Sequence, residues 1–328
     1  MSTKDVPYDK EDTMRAGMII HPEELTKRWI DRLASAGADV LGIHPWGGKR
    51  AKDSLKELVE TLKTEEFREL IDYAKSRGLK IEYELHAAGY LLPRELFDTH
   101  PEYFRMNARG ERVNDYNLCV TNKEALALLG ERAAALAENL YGSEDKFYFW
   151  LDDGRGLHCH CDSCSALSPS DQQLIALNTM LRAVKKKNPR AKMAYLAFCD
   201  SLTPPTEAEP EEGIFLEYAP MYKYTEKGED AEALISGERA VLPALLDTFG
   251  RGDAKVLEYW YDNSLYSKWT KPPLKFTLDE ARMAEDISEY KRLGFADVAT
   301  FACFLGEDYM ELYGDFDILP FVERLANR

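Results

Sequence analysis

Long hydrophobic runs are missing from this sequence. No stretch approaches the roughly 20 apolar residues that a membrane-spanning helix needs. The first thirteen residues, MSTKDVPYDKEDT, are also too polar for the core of a signal peptide. We therefore expect no membrane partner and a cytoplasmic location for the chain as given, a form that removal of an export signal would also produce.

Positive charge is scarce. The chain carries 42 basic and 58 acidic residues, which gives a formal net charge of -16. A surface of this sign repels phosphate backbones, so nucleic acid is excluded as the main partner. The sequence carries no indication of an oligomeric state.

Internal repeats, low-complexity tracts and linkers rich in proline and serine are also absent. Only 20 glycines and 15 prolines occur in 328 residues, and they are dispersed along the chain. No second domain is therefore marked by composition. We interpret residues 1–13 as a polar tail and residues 14–328 as one catalytic domain.

Cysteine is too sparse for a disulfide framework. Residues 158–164 read HCHCDSC, which places Cys159, Cys161 and Cys164 in one loop. Thiolates at this spacing favour a structural zinc ion, with a fourth ligand from His158, His160 or Cys119, and we take His160 as the candidate. Free thiols or a Cys161–Cys164 disulfide are the alternatives. No cofactor for catalysis is expected.

Short segments rich in branched and aromatic residues alternate with amphipathic stretches along the whole chain. This alternation is typical of a parallel sheet with crossover helices. We predict strands near 15–20, 39–44, 80–86, 146–152, 192–198, 213–218, 255–261 and 297–303. We predict helices near 23–36, 54–77, 122–140, 171–187, 230–249 and 278–293. Gly78 and Gly294 follow two of the helical segments, as helix-ending glycines do.

Eight strands are the number that closes a barrel, and the chain is long enough for one with insertions. The extra residues fall after strands three, four and seven, at 87–120, 153–170 and 262–277. The sequence therefore predicts the α/β class and a single (β/α)8 TIM barrel with long βα loops at these places. Such loops build the active sites of barrel enzymes.

The third predicted strand, LKIEYELH, alternates between apolar and charged residues. Its apolar side should face the helices, so Lys80, Glu82, Glu84 and His86 should point into the barrel lumen. Burying these groups without partners costs several kcal/mol. We expect a lysine–carboxylate network for Lys80 and Glu82, and leave ligand contact or structural pairing open for Glu84 and His86.

Carboxylate residues lie at the ends of the fourth and seventh predicted strands. KFYFWLDDG ends in Asp152 and Asp153, and KVLEYWYDN offers Glu258 and Asp262. A glycosidase needs two carboxyl groups, one to protonate the leaving oxygen and one to meet the developing oxocarbenium ion. We take Asp152, Asp153 and Glu258 as candidate catalytic residues that face one another across the mouth of the barrel.

Aromatic and histidine side chains accompany these acids near the strand ends. Flat rings can stack on sugars while histidines and carboxylates bind hydroxyl groups, although core packing is the alternative for each ring. We take as candidate substrate-binding residues His21, His44, Trp46, Glu84, His86, Glu217, Tyr218, Tyr259, Trp260 and Asp262. The predicted partner is a carbohydrate.

Three stretches resemble a bacterial domain of unknown function found in glycan-degrading enzymes. They are HPEYFRMNARGERVNDYNLCVTN at 100–122, LDDGRGLHCHCDSC at 151–164 and EYWYDNSLYSKWTKPP at 258–273. The similarity covers roughly residues 60–310, and the cysteine loop is its most specific part.

The resemblance implies a glycoside-hydrolase barrel distantly related to β-N-acetylhexosaminidases and including endo-β-N-acetylglucosaminidases. Hexosaminidases place an Asp–Glu pair after the fourth strand, in which Asp orients the acetamido group and Glu is the acid. The corresponding pair here is Asp152–Asp153. Because the second residue is the shorter Asp, the acid could instead be Glu84, Glu217 or Glu258.

The leading hypothesis is thus hydrolysis of a glycosidic bond, with a β-linked N-acetylhexosaminide as the candidate substrate. The second hypothesis is a metal-dependent sugar isomerase or epimerase that uses Glu84, His86 and Glu217 around a divalent ion. The third is a glycan-binding barrel without catalytic activity. Fold-level analogy contributes to this ranking.

Overall fold

A computed structural model describes residues 14–152, 154–225 and 229–326 of the chain. The predicted polar tail at 1–13 and the candidate residue Asp153 lie outside the described residues. All eight predicted strands are present, and each pairs in parallel with its sequence neighbours in a closed barrel. The predicted (β/α)8 fold is therefore confirmed.

The strands are short and have the following bounds: β1 Arg15–Ile20, β2 Val40–Ile43, β3 Lys80–His86, β4 Lys146–Trp150, β5 Lys192–Ala197, β6 Ile214–Tyr218, β7 Lys255–Glu258 and β8 Asp297–Phe301. The ring closes where β1 pairs with β8, for example at Met18 and Thr300. The fourth and seventh strands end earlier than predicted, since the chain turns after Trp150 and after Glu258.

Helices surround the barrel and also shape its loops. Their bounds are α1 Lys27–Ala36, α2 Ala51–Thr61, α3 Glu65–Ser76, α4 Ala88–Leu91, α5 Lys123–Asn139, α6 Pro169–Lys185, α7 Tyr222–Thr225, α8 Glu229–Phe249, α9 Asn263–Tyr266, α10 Glu280–Leu293, α11 Glu307–Tyr313 and α12 Leu319–Leu325. None of the helices in the described residues is both long enough and apolar enough to cross a membrane.

Local signals explain most of the helix boundaries. Gly294 ends α10 in the left-handed conformation, with φ of 84°, and Gly78 takes φ of 89° after α3. The single helix predicted at 54–77 is wrong, because Thr64 begins a new helix by accepting the N–H of Phe67. α2 and α3 are therefore separate.

The barrel wall separates two groups of apolar side chains. One face of each strand packs against the helices in a large core that includes Met18, Leu41, Val256 and Val298. The other face fills the lumen with a smaller cluster that includes Ile19, Tyr148, Phe215 and Leu257. Polar residues in the lumen therefore sit between apolar layers, and they must find partners there.

Candidate active site

A cavity of about 580 Å³ opens at the carboxyl-terminal mouth of the barrel. Its size is within the range of small-molecule sites. Rings and imidazoles dominate the lining, which includes His21, His44, Trp46, His86, Trp150, Tyr259, Phe301 and Trp269, together with Asp262 and Cys303. Six of the predicted substrate-binding residues are thus brought together in one place.

The three histidines at the ends of β1, β2 and β3 form part of one wall. His21 Nδ1 lies 2.8 Å from the carbonyl oxygen of His44, and His44 Nδ1 lies 2.7 Å from that of Glu84. Since a carbonyl can only accept, both Nδ1 atoms carry the proton in the neutral rings and leave Nε2 as an acceptor.

Burial keeps two of these imidazoles neutral. It lowers the pKa of His21, and it lowers the pKa of His44 well below its usual value, with help from neighbouring His86 and His21. His21 Nε2 is buried and has no hydrogen-bond partner among the described residues. The wall therefore offers an acceptor suited to a ligand hydroxyl group.

Close packing orders these rings. His21 stacks on Trp46 with ring centroids 4.6 Å apart and planes 12° apart, and His86 contacts Trp150 edge-on at 5.2 Å. A Cβ atom on Gly47 would lie 3.1 Å from His86 Cδ2, so the loop after β2 approaches this ring closely because it carries a glycine there. The aromatic wall is thus preformed.

A lysine–carboxylate network lies in the lumen beneath this cavity. Lys255 Nζ donates to Glu82 Oε2 at 2.8 Å and to Glu84, and lies 3.5 Å from Glu217 Oε1. The predicted network is present, but its lysine is Lys255 rather than Lys80. Lys80 is exposed and pairs with Glu144 at 3.2 Å.

One ammonium group cannot balance three buried carboxylates. Burial raises the pKa of Glu84 to about 7 and that of Glu217 to about 8, against the opposing charge of Lys255. At Glu82, burial acts in the same direction, but Lys255 outweighs it and lowers the pKa. Glu217 and Glu84 therefore hold protons near neutral pH, whereas Glu82 carries the charge that matches Lys255.

This network is placed below the cavity floor. Glu84 and Glu217 are fully buried, and the Trp150 indole N–H, itself at the cavity, donates to Glu217 Oε2 at 2.7 Å. The hypothesis of a divalent ion among Glu84, His86 and Glu217 is not supported by this arrangement, because Lys255 Nζ lies within 3.5 Å of both glutamates and the three residues do not form a set that could hold a metal.

Asp152 lies at the end of β4, on the rim of the mouth. Its Oδ2 accepts the backbone N–H of Asn117 at 3.2 Å and lies 3.8 Å from the Arg94 guanidinium. It lines a small pocket that it shares with His86 and Gly48, both of which also line the main cavity. The predicted position of Asp152 at the mouth agrees with the structure.

Asp262 lies at the far end of the cavity, after β7. Its Oδ1 accepts the backbone N–H groups of Ser264 and Leu265 at 3.0 and 3.2 Å and so begins α9. Burial raises the pKa of this carboxyl to about 6, although the same hydrogen bonds oppose the rise. A carboxyl group with such a pKa is partly protonated near neutral pH.

Glu258 does not reach the mouth, so the expectation that it faces Asp152 is wrong. Its side chain is fully buried outside the barrel wall, where it accepts hydrogen bonds from Lys223, Tyr224 and Tyr290. The reason is strand parity. Lys255, Leu257 and Tyr259 face the lumen, so Glu258, between the last two, faces the helices.

Two other predicted contact residues are also on the outer side. Tyr218 is buried against Tyr290 and Phe295 in the core between strands and helices. Trp260 packs on Phe321, and its indole N–H donates to Asp286 at 3.2 Å. Both rings are therefore packing residues of the helix layer, which was the alternative for every aromatic residue.

A fourth cysteine, distant in sequence, lies beside the three cysteines of the cysteine loop. Cys119, Cys159, Cys161 and Cys164 are all buried, and their Sγ atoms lie within 4.8 Å of one another. No histidine belongs to this group, so the side chain beside the three sulfurs is not that of His160, the expected candidate, but that of Cys119, one of the alternatives. In the described residues, this is the only set of three or more such side chains that could hold a metal.

Sequence reasoning missed Asn117, which holds Asp152, and Lys255, which organises the lumen. Asn117 has φ of 39°, a conformation that asparagine tolerates better than most residues, but an isolated Asn in a loop gives no such signal. The lysine did have a signal. Every second side chain of a strand points to the same face. If the charged Lys255 faces the lumen, Leu257 and Tyr259 also face it, and Glu258 does not.

Sequence comparison connects the chain to one family. The family model described as "Domain of unknown function (DUF4838)" matches residues 57–230, just over half of the chain. The match includes Asn117, Asp152, Glu217 and the cysteine loop. No curated protein matches the chain by sequence.

Solved structures with a similar fold include several glycoside hydrolases. A β-galactosidase from Rahnella sp. R3 gives a TM-score of 0.58 at 12% identity, over 96% of this chain and 56% of that one. A β-galactosidase from Marinomonas ef1 gives 0.57 at 13% identity, over 96% and 59%. A GH5-4 broad specificity endoglucanase from Bacteroides salanitronis gives 0.50 at 12% identity, over 92% and 85%.

The chain thus spans less than two thirds of the β-galactosidases that it matches. At identities this low, the likeness shows the (β/α)8 barrel fold and no more.

Proposed function

This chain belongs to the DUF4838 family, and on its barrel we propose that it hydrolyses a glycosidic bond of a carbohydrate at the carboxyl-terminal mouth. The observation that carries the proposal is the cavity of about 580 Å³, walled by rings and neutral imidazoles, with the carboxyl group of Asp262 in its lining and that of Asp152 in an adjoining small pocket. Stacking surfaces and fixed hydroxyl-binding groups are the features that sugar recognition requires.

For the two roles of a glycosidase, we propose the two described carboxyl groups at the mouth. We assign the general acid to Asp262, because its raised pKa of about 6 keeps a proton available for the leaving oxygen. Asp152, held by Asn117 and facing Arg94, is assigned to the developing oxocarbenium ion. Water then adds to the anomeric carbon and releases one proton, which restores the protonated form of Asp262.

For the sugar, we propose a β-linked N-acetylhexosaminide. The support is the resemblance of residues 100–122 and 151–164 to a domain of glycan-degrading enzymes that include endo-β-N-acetylglucosaminidases. Under this specificity, Asp152 corresponds to the residue that orients the acetamido group. Asp153, the second residue of that pair, remains a candidate from sequence alone.

The test is a set of Asp→Asn variants assayed on aryl β-glycosides of N-acetylglucosamine, galactose, glucose and mannose and on N-glycans. We expect hydrolysis by the native protein, with a preference for N-acetylglucosaminides. Asp152→Asn and Asp262→Asn should each lower kcat by roughly 100-fold or more. Asp247→Asn, at an exposed helix position, is the matched control and should leave kcat unchanged. Asp153→Asn completes the set.

The pH profile gives a second readout of the acid. If Asp262 must be protonated, kcat/KM should fall on the alkaline side with an apparent pKa close to 6, and this limb should disappear in Asp262→Asn. Near-normal turnover in both Asp152→Asn and Asp262→Asn would overturn the assignment. Binding of glycans by the native protein without any product would instead favour a glycan-binding barrel.

A further inference from the structure

The four buried cysteines join two separate loops of the mouth. Cys119 lies in the loop after β3, and Cys159, Cys161 and Cys164 lie in the loop after β4. None of the six cysteines forms a disulfide bond. Besides packing as thiols, four sulfur atoms buried together between two loops have two explanations, oxidation to a disulfide or binding of a metal.

Sulfur spacing distinguishes the two explanations. Cys119 Sγ lies 3.6 Å from Cys161 Sγ and 3.8 Å from Cys164 Sγ. A disulfide holds its sulfur atoms about 2.05 Å apart. A tetrahedral zinc ion with Zn–S bonds of about 2.3 Å separates its ligands by roughly 3.8 Å. These two distances match the spacing of metal ligands, and all four Sγ atoms lie within 4.8 Å of one another.

We propose that Cys119, Cys159, Cys161 and Cys164 bind one structural zinc ion, and that this ion fastens the loop after β3 to the loop after β4. A closed set of four sulfurs leaves no position for water or substrate, so the ion has a structural role. The effect of this ion on the active site rests on the function proposed above. The metal site itself does not.

Groups around the sulfurs fit thiolates better than thiols. The Met106 backbone N–H donates to Cys159 Sγ at 3.3 Å, and the Arg112 guanidinium lies 3.7 Å from the same atom. Gln172 fixes the loop by accepting the N–H of Cys159 at 2.8 Å and donating to its carbonyl at 3.0 Å. Such outer contacts orient ligands and offset the negative charge of a four-thiolate site.

The cluster lies two residues from the group that holds Asp152. Asn117 Nδ2 donates to the carbonyl oxygens of Asp152 at 3.0 Å and Leu157 at 3.2 Å, and Leu157 in turn is two residues before Cys159. Both ends of this contact are therefore attached to metal ligands. Fixing the sulfurs limits the relative movement of Asn117 and Asp152, which is how the ion would shape the mouth.

Metal content is the first test. The native protein, purified without chelator, should contain one zinc per chain by inductively coupled plasma mass spectrometry. Titration with a mercurial reagent should release that zinc as four thiols react. Replacement by cobalt should give the sulfur charge-transfer and intense d–d absorption of tetrahedral Co²⁺. Less than about 0.1 zinc per chain, or iron in its place, would overturn the assignment.

Matched cysteine variants connect the zinc to these residues. Cys119→Ser should lose most of the zinc, whereas Cys199→Ser, which changes a cysteine outside the cluster, should keep one per chain. If Cys119→Ser does not fold, X-ray absorption at the zinc edge of the native protein identifies the atoms that bind the ion. Four sulfur neighbours at about 2.3 Å support the proposal, and nitrogen or oxygen neighbours overturn it.

Hydrogen exchange tests the effect on the mouth without any substrate. Removal of zinc by a chelator should increase amide exchange at residues 115–119 and 151–157, while α1 at Lys27–Ala36 should be unchanged. Faster exchange limited to the cysteines themselves would refute the coupling. Because neither zinc content nor exchange depends on activity, an inactive protein that passes both tests would refute only the proposed function.

Discussion

Asn117 and Asp152 exchange three hydrogen bonds between two loops of the barrel mouth. The Asp152 N–H donates to Asn117 Oδ1 at 2.8 Å, the Asn117 N–H donates to Asp152 Oδ2 at 3.2 Å, and Asn117 Nδ2 donates to the Asp152 carbonyl at 3.0 Å. Backbone and side chain of both residues take part. The direction of the Asp152 carboxyl group is therefore set by a residue 35 positions away in the chain.

The first prediction concerns this pair. Asn117→Ala removes two of the three bonds and leaves the Asp152 N–H without its acceptor, at a cost of about 1 to 3 kcal/mol in unfolding free energy. Turnover should fall about tenfold or more while KM changes little, because the backbone that carries the Asp152 carboxyl group loses both bonds from the Asn117 side chain. Steady-state kinetics and urea unfolding measure both effects. Native kcat in a folded Asn117→Ala variant would contradict a positioning role.

The second prediction concerns the lumen. Lys255→Met leaves Glu82 buried beside two further carboxyl groups without a cation, so the unfolding free energy should fall by roughly 3 to 5 kcal/mol. Combining Glu82→Gln with Lys255→Met should recover part of the lost unfolding free energy. Lys80→Met is the control, because Lys80 is exposed and its ion pair contributes about 0.5 kcal/mol or less. Equal losses in the two lysine variants would show that the network does not stabilise the barrel.

The third prediction is a pH dependence of stability. Burial raises the pKa of Glu84 to about 7 and of Glu217 to about 8 in the folded protein, above the ordinary value of 4.5. The unfolded chain releases these protons near pH 4.5, whereas the folded chain keeps them. Their contribution to stability is thus complete below about pH 4.5 and is lost as the pH rises towards 8.

The variant Glu217→Gln isolates the contribution of Glu217 to this pH dependence of stability. The variant keeps an acceptor for the Trp150 N–H but cannot ionise, so its unfolding free energy should decline less between pH 5 and 8. Over this range, the native protein should lose roughly 2 to 4 kcal/mol more unfolding free energy than the variant. Denaturant unfolding at several pH values measures it. Parallel curves for the native and variant proteins would mean that Glu217 titrates normally.

The fourth prediction separates Glu258 from catalysis. Glu258→Gln weakens the ion pair with Lys223 behind the barrel wall, so the unfolding free energy should fall by about 1 to 3 kcal/mol. Turnover below the melting temperature should stay within about threefold of the native value. A loss of about 100-fold with unchanged thermal stability would return Glu258 to the catalytic residues.

The sequence alone was sufficient for the barrel and for the polar face of β3. Alternation of apolar and charged residues along β3 predicts that Glu82 and Glu84 point inwards, and the structure confirms this. Gly78 and Gly294 mark helix ends because positive φ is easy only for glycine. These signals are local, since each depends on residues within one or two turns of the chain.

Only the tertiary structure decided which carboxyl groups face the mouth and which sulfurs gather. Successive side chains of a strand point to opposite faces of the sheet. Which residues of β7 face the lumen therefore depends on its register in the closed ring, where Lys255 pairs with Asp297 and Glu258 with Thr300. A shift of one residue would have put Glu258 in the lumen. Likewise, Cys119 and Asn117 join partners some 35 to 45 residues away, because the loops after β3 and β4 leave adjacent strands at the same edge. Such contacts follow from closure of the barrel, and no local pattern in the chain encodes them.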